Sequence, residues 1–157
     1  PVYMPALPEQ MYALLADEPY FGVRVVEKGL KTEVGSIKIS FAAMSHPIPS
    51  YAVSFCADGK RLVYSGDTNW NPDLAKVAQG ADAFLCDTGF LERDRGEQAP
   101  HLSAAQAGRI AREAEVLRLY LTHIYPHYEE KELLEEARLY FEHAEVIREM
   151  QPIEIGK

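Results

Sequence analysis

A strand that ends on glycine and then presents an acid constrains this chain more than any other stretch: residues 62–68 read Leu-Val-Tyr-Ser-Gly-Asp-Thr. Leu62, Val63 and Tyr64 form a short β-prone apolar run, and Ser65-Gly66 turns the chain directly after it. Asp67 is thereby predicted at the carboxyl end of a strand, where open α/β sheets place their chemistry. Taken singly, such an aspartate is more often a turn former or a helix cap, and a helix start at 69–73 would suit that role. Its company changes the argument. His46 in Ser-His-Pro, His101 in His-Leu-Ser-Ala and His123 in Leu-Thr-His each stand near the end of an apolar run.

The other segments predict a mixed sheet. Residues 2–4 read as a strand, 9–15 as a helix with Met11, Leu14 and Leu15 on one side, and 21–26 as a strand. Residues 28–35 read as a turn region punctuated by Gly29 and Gly35. Ile37, Ile39 and Phe41 alternate with Lys38 and Ser40, the pattern of a half-buried strand over 36–42. Apolar runs at 51–56 and 61–64 flank Ala57-Asp58-Gly59-Lys60, a hairpin signal. Past Asp67 come a short helix at 72–78 stopped by Gly80, and a buried strand at 83–86 leading into Asp87-Thr88-Gly89-Phe90. The charged stretch 91–100 reads as a mobile surface loop. A helix follows over 103–115 with Ser103 as N-cap, then a strand over 118–121 ending at Thr122-His123. An amphipathic helix over 129–141 and short strands at 146–147 and 153–155 close the chain. Antiparallel strands first and strand–helix alternation afterwards predict an α/β fold, a mixed sheet with helices outside.

A length of 157 residues suits one domain, 1–157, with its own core. The net charge of −8 and the lack of a basic run argue against a general nucleic-acid surface, which needs clustered Lys and Arg. No apolar run approaches the ~20 residues that span a bilayer. No signal-peptide pattern is read in the sequence as it stands, and the start at Pro1 suggests a processed or truncated chain. Cys56 and Cys86 lie in or beside apolar runs without metal-knuckle spacing, so two buried thiols in a reducing cytoplasm are expected.

His46, Asp67, Asp87, His101 and His123 are the residue types a hydrolytic zinc site uses, and a shared aspartate can bridge two ions ~3.5–4 Å apart. From patterning alone, capping and surface roles fit them as readily. Their order adds more. Ser-Gly-Asp-Thr at 65–68, Asp-Thr-Gly-Phe at 87–90, His-Leu-Ser-Ala-Ala-Gln-Ala at 101–107 and Leu-Thr-His at 121–123 resemble the metallo-β-lactamase superfamily, and within it the ribonuclease Z-like branch. The His-Pro-Ile-Pro-Ser-Tyr segment at 46–51 is similar to that branch's third metal motif.

The resemblance implies a metallo-β-lactamase fold, a four-layer αβ/βα sandwich, of which this chain would be the carboxyl-terminal part. It implies His46 and His123 as ligands of separate metals, Asp67 as the bridge between them, and two zinc or similar ions. His101 would donate the proton to the leaving group, and Asp87, standing where the branch usually has Glu, would orient it. The implied reaction is hydrolysis of a phosphodiester or other ester by a metal-bound hydroxide. The family's His-x-His-x-Asp-His signature is absent; His123 and His127 are the only near pair, and Pro126 stands between them. The isolated chain is therefore expected to be inactive. Only 21 positions separate His46 from Asp67, leaving no room for the tRNA-gripping arm of ribonuclease Z proper. A small-molecule substrate is thus favoured over RNA, and association with another copy or with the missing part is expected. The alternatives are a non-catalytic binding or interaction module that lost the first metal motif, and one chain of a split enzyme. His127 reads as a loop residue and His143 as a solvated helix end, while Trp70 suits a pocket wall or packing under the loop.

Overall fold

The computed structural model describes residues 1–150 and 152–155. Nine strands and four helices follow one another along these residues. Strands β1 (Val2–Met4) and β2 (Val23–Val25) pair in parallel across helix α1 (Glu9–Ala16). Strands β3 (Lys31–Val34), β4 (Ile37–Ala43), β5 (Tyr51–Ala57) and β6 (Lys60–Tyr64) form an antiparallel series. Strands β7 (Ala83–Asp87), β8 (Leu119–Thr122) and β9 (Ala144–Val146) continue it in parallel with β6, giving a seven-stranded sheet in simple sequence order. The parallel steps need crossovers, supplied by α2 (Leu74–Ala78), α3 (Ala104–Glu113) and α4 (Glu130–Arg138).

The local chemistry explains most of this. Asp58 and Gly59 both take positive φ, 50° and 73°, as a two-residue hairpin between β5 and β6 requires. Ser103 caps α3 with a full capping box: its hydroxyl accepts from the Gln106 N–H, and the Gln106 side chain accepts from the Ser103 N–H. Strands β7 and β8 are apolar nearly throughout because helices cover the face that carries Phe84, Cys86, Leu119 and Leu121.

That face holds the core. Val63, Phe84, Leu119 and Leu121 pack there against Leu74, Ile110 and Leu133 of the helices. Full burial of each such side chain contributes ~1.5–3 kcal/mol relative to exposure, so this layer contact carries much of the stability. Gly108 lets α3 approach α4, since a Cβ at that position would stand 2.5 Å from the Ala137 carbonyl oxygen. The opposite face carries Ile39, Phe55 and Leu62 in one register row and Phe41, Val53, Tyr64, Leu85 and Tyr120 in the next. The small sheet covers part of it: Tyr3 stacks on Phe41 at 6.1 Å, and its hydroxyl shares a 2.8 Å hydrogen bond with Thr32. The direct contact packs sheet against sheet, with α2, α3 and α4 behind the large one, the sandwich core of a metallo-β-lactamase fold.

Three sequence expectations need correction. Residues 31–34, read within a turn region, form the edge strand β3. Its Lys-Thr-Glu-Val pattern is polar because the strand is mostly exposed, and its order comes from pairing with β4 rather than from burial. Residues 153–155 form no strand; Ile153 to Ile155 have no ladder partner among the described residues. The loop 91–100 is anchored rather than loose. Leu91 and Ala99 are buried, residues Glu92–Asp94 make a 3₁₀ turn, and the Glu92 N–H donates to the Glu136 carboxylate.

Candidate metal centre

The pairing pattern brings five polar residues to one edge. Strands β6, β7 and β8 are parallel, so Asp67 just past β6, Asp87 at the end of β7 and His123 just past β8 share the carboxyl edge of the sheet. Two antiparallel pairings separate β4 from β6, which makes them run the same way and puts His46, beyond β4, at that edge too. His101 arrives from the β7–α3 connection, two residues before the α3 cap.

Backbone features aim these side chains. Gly66 has φ +61°, and a Cβ there would stand 2.5 Å from the Tyr51 carbonyl oxygen. Only glycine accepts both the left-handed conformation and the contact, so Gly66 lets the chain turn sharply into Asp67. His123 itself sits at φ 58°, a conformation a residue with a side chain rarely adopts. Its placement at a strand end beside four other polar groups is where such strain tends to be kept.

The histidines cluster around His101. Its ring centroid is 5.4 Å from that of His46 and 4.6 Å from that of His123. Nδ1 of His101 is 2.8 Å from Oδ2 of Asp87, and Nδ1 of His123 is 3.9 Å from Oδ1 of Asp67. His46 directs Nδ1 at the Ile48 carbonyl oxygen, 3.3 Å away, which leaves Nε2 as its open nitrogen. Two sets of ligand atoms lie within 4.8 Å of one another: His46, Asp67 and His101, and Asp87, His101 and His123. Both include His101. All five sequence-predicted residues thus come together.

The chemistry of the set suits a divalent cation. Imidazole nitrogens and carboxylate oxygens converge at separations a shared ion can bridge. Oδ1 of Asp87 is buried without a hydrogen-bond partner, an acidic oxygen that a nearby positive charge would satisfy. Its other oxygen accepts the Thr68 N–H at 2.8 Å, and the Ser65 hydroxyl accepts the Asp87 N–H at 2.8 Å.

Burial pushes the Asp87 carboxyl up from 3.8 to about 7, against the Thr68 hydrogen bond, which acts the other way. Burial likewise pushes the His101 imidazolium down from its ordinary 6.5. A carboxyl raised on folding stabilises the fold fully below its unfolded value, and that contribution is lost as pH rises through the folded value. The chain dialysed free of divalent metal should therefore lose on the order of a few kcal/mol between pH 4 and 7 on account of Asp87. Asp87→Asn should flatten that segment of the stability curve. Urea unfolding at a series of pH values checks this, and equal slopes for both proteins would remove Asp87 as the cause. His101 works in the opposite sense, since a depressed imidazole loses its contribution as pH falls through its folded value.

Beside this edge, a cleft of about 310 Å³ lies between the small and large sheets, lined by Tyr3, Phe41, Ile48 and Tyr64, with His46 and Asp67 among its polar groups. Trp70 lines none of that cleft and is 42% exposed, so neither of its two expected settings describes it fully. His127 is exposed in the loop before α4, its ring 4.1 Å from that of Tyr128, and His143 is exposed beside Phe141. Pattern reading missed Arg95, which reaches from the anchored loop to Asn69 and to the His101 carbonyl oxygen. Nothing in its local sequence distinguishes it from the other charged residues of 91–100.

A family model described as a beta-lactamase superfamily domain matches residues 4–124. The chain belongs to the metallo-β-lactamase superfamily. An uncharacterised protein of Mycobacterium leprae is 36% identical over 123 residues, covering 78% of this chain and 43% of the relative. Ribonuclease Z of Haloferax volcanii is 33% identical over 142 residues, covering 87% of this chain and 42% of the relative. The crystal structure of the metallo-β-lactamase fold protein YhfI from Bacillus subtilis superposes with a TM-score of 0.88 at 23% identity, covering 94% of this chain and 62% of that one. The chain spans about two fifths of the length of the curated relatives it matches. Membership of this superfamily implies divalent-metal binding. Among the described residues, no helix is long and apolar enough to cross a membrane.

Proposed function

We propose that the full-length protein bearing this sequence is a metal-dependent hydrolase of esters, with small phosphodiesters as its favoured substrates. The observation that carries the reading is the convergence of His46, Asp67, Asp87, His101 and His123 from separate loops and strand ends onto one sheet edge. In this reading His46, Asp67 and His123 hold the ions, Asp67 between them. Zinc is the favoured metal on the ligand types, which it would use for Lewis acidity and to supply a nucleophile from water.

The rest falls to the protein. Asp87 takes the Nδ1 side of His101, so Nε2 is the nitrogen left to serve the reacting group. From there His101 passes a proton to the departing oxygen. The cleft beside His46 and Asp67 supplies apolar surface for the remainder of the substrate. A phosphodiester is favoured because one named relative is a ribonuclease, which cleaves that bond. The short His46–Asp67 interval favours small molecules over RNA. The free thiols Cys56 and Cys86 accord with a cytoplasmic setting.

With His101 and Asp87 kept for proton transfer, only His46 or His123 together with the shared Asp67 serves each ion. That is fewer than the three protein ligands of an ordinary catalytic zinc site, so the isolated chain should hold metal weakly or incompletely. Metal analysis after dialysis tests this together with hydrolysis of bis(4-nitrophenyl) phosphate by the full-length protein. Two tightly held ions per isolated chain would refute the split ligand set. A full-length protein that binds no metal and hydrolyses no ester would leave the interaction-module reading.

The open sheet face bears on association. Ile37 is 39% exposed, and Ile39, Phe55 and Leu62 beside it are covered only in part. Contiguous exposed apolar surface beyond ~300–600 Å² is unusual for a soluble monomer. The isolated chain should bind a hydrophobic dye and elute as a dimer or larger species. A dye-negative monomer by light scattering would refute this.

A further inference from the structure

We propose that Arg95 is a positioning residue whose single guanidinium ties the loops carrying His46, Asp67 and His101 into one unit; this rests on reading the cluster as a hydrolytic centre. Nε of Arg95 donates to the His101 carbonyl oxygen at 3.2 Å, and Nη2 donates to Oδ1 of Asn69. The same Asn69 oxygen accepts the Trp70 N–H at 2.6 Å, which fixes the asparagine side chain. The Asn69 N–H donates to the Ser45 carbonyl oxygen at 2.7 Å, next to His46. Asn69 also lies two residues past Asp67. One chain of hydrogen bonds therefore runs from the His46 loop through the Asp67 loop to the backbone of His101.

The geometry calls for a guanidinium. Two acceptors on different loops are met by two rigidly linked N–H groups, a fork that a lysine ammonium does not reproduce. Arg95 forms no ion pair among the described residues, so its charge is not committed to a surface carboxylate. Its loop can bear the load because Leu91 and Ala99 are buried at either end of it. For His101 the effect is a second anchor. Asp87 fixes the ring through Nδ1, Arg95 fixes the main chain from which the ring hangs, and together they fix where Nε2 points.

Kinetics of the full-length protein provide the first test. Arg95→Ala should lower kcat ~10–100-fold on substrates with poor leaving groups, the usual effect of removing a group that supports a functional side chain, with KM within about twofold. Activated nitrophenyl esters should be much less affected, because they need no proton from His101. Arg95→Lys should recover only part of the loss. Asn69→Ala cuts the same strap from the other end, so the double variant should be no slower than the slower single one. A rise in KM at constant kcat would make Arg95 a substrate-holding cation and overturn the proposal, as would additive losses in the double variant.

A second readout needs no activity. In the 157-residue chain at fixed pH, nitrogen NMR of the imidazoles should show one His101 tautomer. Arg95→Ala and Asn69→Ala should each convert it to an averaged pair, and added guanidinium should restore the single form in Arg95→Ala. An unchanged His101 pattern in both variants overturns the proposal. If the full-length protein hydrolyses nothing, the hydrolase reading fails while this pattern still decides the role of Arg95.

Discussion

Asp67→Ala should abolish both tight metal binding and hydrolysis in the full-length protein, with the fold retained. Asp67 lies 3.9 Å from His123 and within 4.8 Å of the ligand atoms of His46 and His101. Among the described residues, no other carboxylate lies this near both His46 and His123: Asp87 turns one oxygen to His101 and Thr68 and keeps the other buried. Losing an outer partner of a metal ligand costs ~10–100-fold in affinity or activity, so losing a shared ligand should cost more than that. Asp67→Asn keeps the shape but removes the charge and should be nearly as damaging. Asp67 is partly exposed, so neither change opens a core cavity, and circular dichroism should match the parent. Metal analysis and titration calorimetry measure the effect. Retained stoichiometry with activity within tenfold of the parent would take Asp67 out of the bridging role.

His101→Ala should separate chemistry from metal binding. In the full-length protein we expect a ~10²–10⁴-fold loss on esters with poor leaving groups, the usual contribution of a general acid, and a far smaller loss on nitrophenyl esters. Metal content should stay at the parent level. The last measurement carries weight because His101 belongs to both sets of converging ligand atoms. Loss of an ion in His101→Ala would make it a ligand, whereas retained metal with leaving-group-dependent rates would make it the acid. Asp87→Ala should follow the same leaving-group dependence more weakly, because it acts through the His101 ring.

Much of the chain was legible beforehand wherever local chemistry dominates. The Asp58-Gly59 hairpin and the Ser103 cap are short-range effects, encoded within a few residues. The apolar β7 and β8 and the glycine turn before Asp67 show as local patterns too, although helix cover and the nearby Tyr51 carbonyl oxygen are what require them. The edge strand β3 escaped because its stability lies in hydrogen bonds to β4, which polar residues supply as well as apolar ones. Arg95 escaped for a related reason: an arginine in a charged loop has no periodicity, and its two acceptors lie 26 and 6 positions away.

By itself the sequence determined which residues could do chemistry and that Asp67, Asp87 and His123 would stand at the ends of apolar runs. It held His46, Asp67, Asp87, His101 and His123 in a recognisable order, and with them the superfamily. Only the tertiary structure decided that they meet. Two antiparallel pairings make β4 run the same way as β6, and three parallel strands then deliver Asp67, Asp87 and His123 to the edge that His46 already occupies. The antiparallel steps join neighbouring segments, and the Asp58-Gly59 hairpin announces one of them, whereas the parallel steps pair segments tens of residues apart and have no local signal. The distances that bring strand-end residues into one cluster, 3.9 Å from Asp67 to His123 among them, follow from that pairing.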